Sequence, residues 1–211
     1  LIFLPFLFAV RVAWSPDDLA LVPELLTRLA TVTVALCLVA SAVYLFNDIL
    51  DKDSDRQHPD KTNRPIASGT VRVAYAAISM VLLTAAGLAI LAVLDLVLVW
   101  IILAYISINL AYSAGMKNIV LVDVFAVASG YVIRIVIGAA AIGVVPSPWI
   151  YVATGAGALF IVVGRRYAEA RLAGNRAPTQ RAVLSQYEEP FIGQLLIIAA
   201  TASWLSYTLY T

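Results

Sequence analysis

The sequence predicts an all-α membrane protein that crosses the bilayer several times. Of its 211 residues, 62% are hydrophobic and only 13% are charged, whereas a soluble domain usually carries about 25% charged residues. The apolar residues also fall into seven stretches, several of them close to the roughly 20 residues that a helix needs to cross the hydrocarbon core. Because none of these stretches alternates as a β-barrel strand would, they are expected to be helices.

The seven apolar stretches define the predicted elements. They lie at residues 1–13, 25–46, 71–93, 96–112, 119–141, 148–164 and 190–211. The first is too short for a complete span. It is interpreted as the front of a membrane helix because no basic segment precedes it and no small-residue cleavage site follows it. Since the chain starts without Met and ends inside an apolar run, residues 1–211 are expected to form a single integral-membrane domain, truncated at both ends.

The charge balance excludes some classes of function. The chain has 14 Lys and Arg residues against 13 Asp and Glu residues, a net charge of +1, whereas nucleic-acid binding requires a large basic excess on one face. The single cysteine, Cys37, lies in an apolar run, which argues against a disulfide framework and against a cysteine metal site. The bilayer is therefore an expected partner, and nucleic acid is not.

The distribution of basic residues predicts an orientation. Most Lys and Arg residues lie in or beside three loops, at 47–70, 113–118 and 165–189, which an up-and-down topology places on one side of the membrane. The intervening loops contain no Lys or Arg. By the positive-inside rule, the basic loops face the cytoplasm. We therefore expect a multi-pass protein of the cell membrane whose active site faces the cytoplasm, because the candidate chemical motifs lie in these same loops.

An acidic cluster follows the second apolar stretch, with the sequence Asn47-Asp48-Ile-Leu-Asp51-Lys-Asp-Ser-Asp55. If the helix continues through it, Asp48, Asp51 and Asp55 share one helix face. Unneutralised carboxylates this close repel one another, and Mg²⁺ typically binds a few carboxylates together with water and substrate phosphate. We predict that Asp48, Asp51 and Asp55 bind Mg²⁺ and, through it, a diphosphate. The alternative is a solvated acidic loop.

Basic residues near the ends of the membrane segments are candidate phosphate ligands. Lys61 and Arg64 follow the acidic cluster, and Arg165 and Arg166 follow the sixth apolar stretch. Their side chains are suited to the anionic oxygens that a metal does not reach, because a guanidinium group donates several hydrogen bonds in one plane. The alternative is that these residues only set the orientation of the chain in the membrane.

A second polar constellation spans the fourth and fifth apolar stretches. Tyr112 lies at the end of one helix, and Lys117 lies in the short basic loop that follows. Asp123 and Arg134 then share a face of the next helix, with Arg134 about 16 Å deeper, since eleven residues make almost a whole number of turns. Charged residues at such depth usually face a cavity or a functional site. Tyr112, Lys117 and Arg134 are predicted to bind substrate. The alternative is an Asp123–Arg134 network that packs helices.

These motifs resemble the UbiA prenyltransferase superfamily. The resemblance rests on Asn47-Asp48-x-x-Asp51-x-x-x-Asp55, Arg64-Pro-Ile-Ala-Ser-Gly69, Tyr112-Ser-x-x-x-Lys117 and Asp123. It implies a UbiA-like bundle, typically of nine transmembrane helices, of which seven segments fall in this chain. It also implies a Mg²⁺-dependent transferase in which Asp48, Asp51, Asp55, Lys117 and Asp123 are catalytic and Asn47 assists binding.

Within the superfamily, the chain is most similar to the decaprenyl-phosphate phosphoribosyltransferase branch. The features of that branch are Asp123-Val-x5-Gly130-x3-Arg134, Arg165-Arg166-x2-Glu169 and a tail that begins at Tyr187. The resemblance implies transfer of 5-phosphoribose from phosphoribosyl diphosphate (PRPP) to a polyprenyl phosphate. The product would supply lipid-linked pentose for cell-wall arabinan synthesis. The lipid tail is expected to lie in an apolar lateral groove between helices.

Three other activities are alternatives to phosphoribosyl transfer. A UbiA-type prenyltransferase would move a prenyl group from a prenyl diphosphate to an aromatic acceptor, but Val127 stands where such enzymes carry the second carboxylate of D-x-x-x-D. A CDP-alcohol phosphotransferase would need a D-G-x-x-A-R motif, which is absent. A cation transporter would be expected to place its carboxylates near the bilayer midplane. The sequence leaves the oligomeric state open, with a homo-oligomer as one alternative.

Overall fold

The computed structural model describes residues 1–57, 61–173, 187 and 189–210. Its helices are α1 (Leu4–Phe8), α2 (Val22–Leu50), α3 (Lys52–Gln57), α4 (Val73–Leu94), α5 (Leu96–Ala114), α6 (Val122–Ala141), α7 (Pro148–Ala173) and α8 (Glu189–Tyr210), with a 3-10 turn at Met116–Asn118. No β-strand occurs within these ranges. Most of the predicted basic loop 165–189 lies outside them, since residues 165–173 belong to α7 and residues 174–186 and 188 are not described.

Six of these helices are long and apolar enough to cross a membrane, namely α2, α4, α5, α6, α7 and α8. They confirm the predicted all-α polytopic class. Their outer faces expose large apolar side chains such as Val81, Trp100 and Ile197. That arrangement is stable where hydrocarbon replaces water around the bundle, and helices satisfy their own backbone groups there.

The first apolar stretch differs from the expected membrane helix. Its helix α1 has five residues, and the chain then reverses, with Arg11 in the left-handed region at φ 63°. The Trp14 indole N–H donates to the Phe6 carbonyl at 2.9 Å, and the two rings stack with centroids 5.0 Å apart. These contacts stabilise a folded-back segment that packs against α6. The stretch therefore does not continue as a helix long enough to span.

Helix α2 lies at the centre of the bundle and packs against α4, α5 and α6. Its core face consists of small and branched residues, of which Val32, Ala35 and Val39 have no exposed surface. Gly87 of α4 lies so close to the Ala35 carbonyl and to Val39 that a side chain there would displace them. Small residues at a helix crossing allow this approach in membranes, where close packing drives helix association.

The charged loops gather at one end of the bundle, where α2, α5 and α7 end and where α4, α6 and α8 begin. We call this region the charged end and define it as residues 47–57, 61–72, 113–123, 165–171 and 187. Helix α7 continues past the predicted apolar stretch 148–164 and carries Arg165 and Arg166 into this region.

Candidate functional site

One guanidinium group joins two of the predicted metal ligands. Arg64 Nη1 lies 2.9 Å from Asp48 Oδ1 and 2.8 Å from Asp55 Oδ2. Lys61 Nζ adds a longer contact of 3.6 Å to Asp55 Oδ1. The Asp55 side chain is only 3% exposed, so its charge depends on these two cations. The turn that carries Lys61 and Arg64 therefore folds back over the end of α2.

The third carboxylate, that of Asp51, is paired with a different cation. Asp51 Oδ1 accepts a hydrogen bond from Lys117 Nζ at 2.6 Å. Beside this pair, the hydroxyl of Ser113 on α5 donates to the Asn47 side-chain oxygen. The end of α2 is thus fixed to the end of α5 by one ion pair and one hydrogen bond. Ser113 was not predicted as a site residue, although it follows Tyr112 directly and lies one turn beyond Asn109.

Local backbone geometry explains why the carboxylates diverge. Helix α2 ends at Leu50, and Asp51 has a φ of −86° and a ψ of 1°, which marks a break before α3. The helical hydrogen-bond pattern persists across the break, since the Asp51 N–H donates to Asn47 O and the Asp55 N–H donates to Asp51 O. Asp48 and Asp55 consequently remain near each other, while Asp51 points to Lys117.

The expectation of unneutralised carboxylates is wrong. Asp48, Asp51 and Asp55 are paired with Arg64, Lys117 and Lys61, so three negative charges face three positive charges. Sequence periodicity identified the shared acidic face but could not show that cations from two later loops reach it. A phosphate that binds there would share these cations with the carboxylates or take them over.

The Mg²⁺ site remains a prediction. Within the described ranges, no three His, Cys, Asp or Glu side chains lie close enough together to hold a metal. Asp48 and Asp55 nevertheless face a common point, because both contact the same nitrogen of Arg64. Their oxygens are hard ligands, and Mg²⁺ is usually held by one or two carboxylates with water and substrate phosphate. The donor set therefore fits Mg²⁺ if Arg64 moves onto the phosphate.

A polar cavity of about 470 Å³ opens beside this cluster, between α2, α5, α6 and α7. Its polar lining residues are Tyr44, Asn47, Tyr105, Asn109, Tyr112, Tyr131, Arg134, Arg165, Arg166 and Glu169. The structure thus brings together five of the predicted substrate-binding residues: Asn47, Tyr112, Arg134, Arg165 and Arg166. Val127 lines the same cavity, so position 127 does face the site. Polar groups between membrane helices are costly unless they serve a ligand or a water-filled path.

Two cations in this cavity have no acidic partner among the described residues. Arg134 Nη1 donates to the Gly130 carbonyl of its own helix at 2.8 Å, and its guanidinium lies 5.8 Å from the centre of the Tyr131 ring. Arg165 is exposed at the cavity wall and forms no ion pair within the described ranges. The alternative of an Asp123–Arg134 packing network is therefore wrong. Both arginines are available to an anionic ligand.

Asp123 lies in a separate, buried network. Its carboxylate has no exposed surface, and it accepts hydrogen bonds from Arg166 Nε at 2.8 Å and from the Tyr187 hydroxyl at 2.6 Å. Arg166 Nη1 also contacts Glu169 Oε2 at 2.8 Å. The sequence placed Asp123 and Arg166 in the site but did not predict their contact. Tyr187, 64 residues away from Asp123 in the sequence, was noted only as the start of the tail that resembles the decaprenyl-phosphate phosphoribosyltransferase branch.

An apolar groove of about 450 Å³ lies on another side of α2, bounded by α2, α4 and α5. Its lining residues are Ala42, Val43, Phe46, Met80, Val81, Thr84, Ala85, Leu88, Ile106 and Leu110. Val43 lines both the groove and the polar cavity. It lies one turn before Asn47. A polar cavity and an apolar groove therefore meet near the charged end.

Comparison with known proteins identifies the family. The model of the UbiA prenyltransferase family matches residues 2–211. A decaprenyl-phosphate phosphoribosyltransferase of Mycobacterium tuberculosis is 36% identical over 187 residues, which cover 89% of this chain and 62% of that protein. The Corynebacterium glutamicum protein of that name is 36% identical over 180 residues, 84% of this chain and 54% of the relative.

The Mycolicibacterium smegmatis protein of the same name is 34% identical over 197 residues, which cover 89% of this chain and 59% of the relative. The chain thus spans between 54% and 62% of the length of these curated relatives. The family match extends over nearly every residue of the chain, including the acidic cluster and the cavity. The chain therefore belongs to the UbiA prenyltransferase family.

Proposed function

We propose that this protein transfers 5-phosphoribose from PRPP to a polyprenyl phosphate such as decaprenyl phosphate, at a site that faces the cytoplasm. The observation that carries this proposal is the meeting of a polar cavity and an apolar groove beside the acidic cluster. Two cations of the cavity, Arg134 and Arg165, have no acidic partner in the part of the chain that the structure describes. The names of the most similar relatives agree with it.

The polar cavity suits a sugar phosphate. Arg134 and Arg165 can each bind an anionic oxygen by charge-assisted hydrogen bonds, which are about twice as strong as neutral ones. Tyr105, Tyr112 and Asn109 line the same space and can hydrogen-bond to the hydroxyl groups of a ribose. A prenyl chain in this cavity would leave those polar groups without partners, which costs free energy in a low-dielectric site.

The apolar groove suits the acceptor's hydrocarbon chain. Phe46, Met80 and Leu110 line it on three different helices, so a polyprenyl chain that enters it from the bilayer keeps an apolar environment and gains packing contacts. A polyprenyl chain in the groove would place its phosphate near Asn47, where Val43 separates the groove from the cavity. The acceptor phosphate and the donor sugar would then meet beside the acidic cluster.

The ion pairs of the charged end indicate how the donor would be held. Arg64, Lys61 and Lys117 can exchange their carboxylate partners for oxygens of the diphosphate. Asp48 and Asp55 would hold Mg²⁺, with Asp51 and Asn47 nearby, and a metal bound there would neutralise charge on the diphosphate and make it a better leaving group. When a cation moves from a carboxylate to the diphosphate, that carboxylate becomes free to bind the metal. Binding of the metal and binding of the donor would therefore reinforce each other.

The reaction itself is a substitution at the anomeric carbon of ribose. The bond from that carbon to the diphosphate oxygen breaks, and an oxygen of the acceptor phosphate forms the new bond. No general base is needed because the phosphate oxygen is already ionised at neutral pH. Arg134 and Arg165 would hold the 5-phosphate and the acceptor phosphate in position. The product, a lipid-linked phosphopentose, would feed arabinan synthesis in the cell wall.

The proposal is tested by two assays on the purified protein in lipid nanodiscs. One offers labelled PRPP with decaprenyl phosphate, and the other offers geranyl diphosphate with an aromatic acid. We expect a labelled lipid only in the first assay, and its loss in EDTA. A prenylated aromatic product in the second assay, with none in the first, would assign the protein to aromatic prenyl transfer instead.

A further inference from the structure

Two carboxylates fix the position of Arg166 in the wall of the polar cavity. Its Nε donates to Asp123 and its Nη1 donates to Glu169, both at 2.8 Å. An arginine side chain has five N–H donors, so the two contacts leave three donors for other partners. Arg166 also lines the polar cavity. The side chain is therefore oriented by two carboxylates and still has donors for a ligand.

The Asp123 carboxylate is itself fixed by a second residue. Its other oxygen accepts from the Tyr187 hydroxyl, and that hydroxyl accepts from the Leu121 N–H at 2.9 Å. Leu121 has a φ of 68°, in the left-handed region that branched residues rarely adopt. The Tyr187 hydroxyl thus satisfies a backbone donor in a strained turn and holds the carboxylate that starts α6.

Tyr187 acts as a donor in this arrangement at ordinary pH. Burial raises the pKa of its hydroxyl, and the hydrogen bond to Asp123 raises it further. The phenol therefore stays protonated, and the proton lies between its oxygen and the carboxylate. One Asp123 oxygen accepts from the neutral Tyr187 hydroxyl and the other accepts from the Arg166 cation. Both oxygens are therefore hydrogen-bonded without a metal.

We propose that Asp123 and Tyr187 are positioning residues, which hold Arg166 so that its remaining N–H groups face a phosphate of the substrate in the polar cavity. The identity of the substrate in this inference rests on the proposed function, whereas the contact between Arg166 and a phosphate does not. It assigns Asp123 to the orientation of an arginine and removes it from the metal site and from the reacting groups.

The chain supplies matched variants. Asp123→Asn keeps the size of the side chain but presents an amide N–H to Arg166 or to Tyr187, so one of the two hydrogen bonds is lost. Tyr187→Phe removes the hydroxyl alone. Tyr167→Phe is the control for the aromatic change, because Tyr167 adjoins Arg166 in sequence but does not line the polar cavity.

The first measurement is anion binding without turnover. Inorganic phosphate is titrated into the protein in nanodiscs, and the rise of the thermal midpoint is followed for each variant. We expect the apparent Kd for phosphate to rise by about tenfold in Asp123→Asn and less in Tyr187→Phe, in line with the loss of a charge-assisted contact. Tyr167→Phe should match the parent protein. An unchanged Kd in Asp123→Asn, or no phosphate binding by the parent protein, would overturn the proposal.

The second measurement separates positioning from a role in folding or in metal binding. Asp123→Asn should raise the KM for PRPP while leaving kcat and the Mg²⁺ concentration at half-maximal rate unchanged. A lower thermal midpoint with an unchanged KM would show a merely structural role. A changed Mg²⁺ requirement would return Asp123 to the metal site. If the parent protein does not use PRPP at all, the proposed function fails, and the phosphate titration still decides the positioning role.

Discussion

Lys117 Nζ lies 2.6 Å from Asp51 Oδ1, an ion pair that joins the loop after α5 to the break between α2 and α3. The two residues are 66 positions apart in the sequence. Their side chains are 28% and 34% exposed, so solvent reaches the pair and can help it to open. Opening would release a cation to phosphate and a carboxylate to metal at the same time.

Lys117 is therefore expected to bind the donor more than to stabilise the fold. Lys117→Met should raise the KM for PRPP by about 10- to 100-fold, the range for loss of a charged hydrogen bond, and should change the thermal midpoint little. Lys52→Met is the control, since among the described residues the ion pair of Lys52 is with the exposed Asp53, at 3.8 Å. Equal KM values for the two variants would remove Lys117 from the donor site.

Loss of a single carboxylate should abolish activity without unfolding the protein. Asp55→Asn removes the charge that faces both Arg64 and Lys61, so a metal held there loses a ligand. We expect turnover to fall below detection at every Mg²⁺ concentration. Asp53→Asn is the matched control, because the Asp53 side chain is 78% exposed. Full activity of Asp55→Asn, or full activity of the parent protein in EDTA, would contradict the predicted metal site.

Arg134 should contribute through the planar geometry of its guanidinium. Arg134→Lys keeps the positive charge but loses the second donor arm, so substrate affinity is expected to fall by about 1–3 kcal/mol. The exposed Arg72 provides a control substitution, Arg72→Lys, at the start of α4. KM values are measured for both substrates. If neither KM changes, Arg134 has only a structural role within α6, through its hydrogen bond to the Gly130 carbonyl.

The buried Tyr187 hydroxyl makes stability sensitive to alkaline pH. Its pKa is raised above the ordinary value of 10.0 in the folded protein, mainly by burial. Above pH 10 the unfolded chain loses this proton while the folded chain keeps it, so the free energy of unfolding decreases as pH rises. The contribution is complete below pH 10. Thermal midpoints recorded from pH 8 to pH 11 should therefore fall more steeply for the parent protein than for Tyr187→Phe, and parallel curves would refute the assignment.

The sequence predicted the helices and the members of the site better than their contacts. Apolar length alone located six spanning helices, because a bilayer sets the required length. It failed at residues 1–13, where Trp14 holds a five-residue helix by contacts that no periodicity shows. Likewise, helical spacing put Asp123 and Arg134 on one face, but their separation along the axis was too great for contact.

Tertiary packing decided the partners of the charged residues. Asp123 pairs with Arg166 on the neighbouring helix α7 and with Tyr187 before α8, at sequence separations that carry no local signal. The cations that neutralise Asp48 and Asp51 also come from other segments, Arg64 from the turn after α3 and Lys117 from the loop after α5. The composition shows how many charged residues the chain has, whereas only the fold shows which of them are in contact.

The release of inorganic diphosphate from PRPP tests the central claim most directly. The polar cavity and the apolar groove meet at Val43, and in the proposed reaction an oxygen of the lipid phosphate displaces the diphosphate. Diphosphate should appear from PRPP only when polyprenyl phosphate is added, in a one-to-one ratio with labelled lipid. Release from geranyl or longer prenyl diphosphates with an aromatic acceptor, at a comparable kcat/KM, would contradict the account and would show that Val127 does not prevent prenyl transfer.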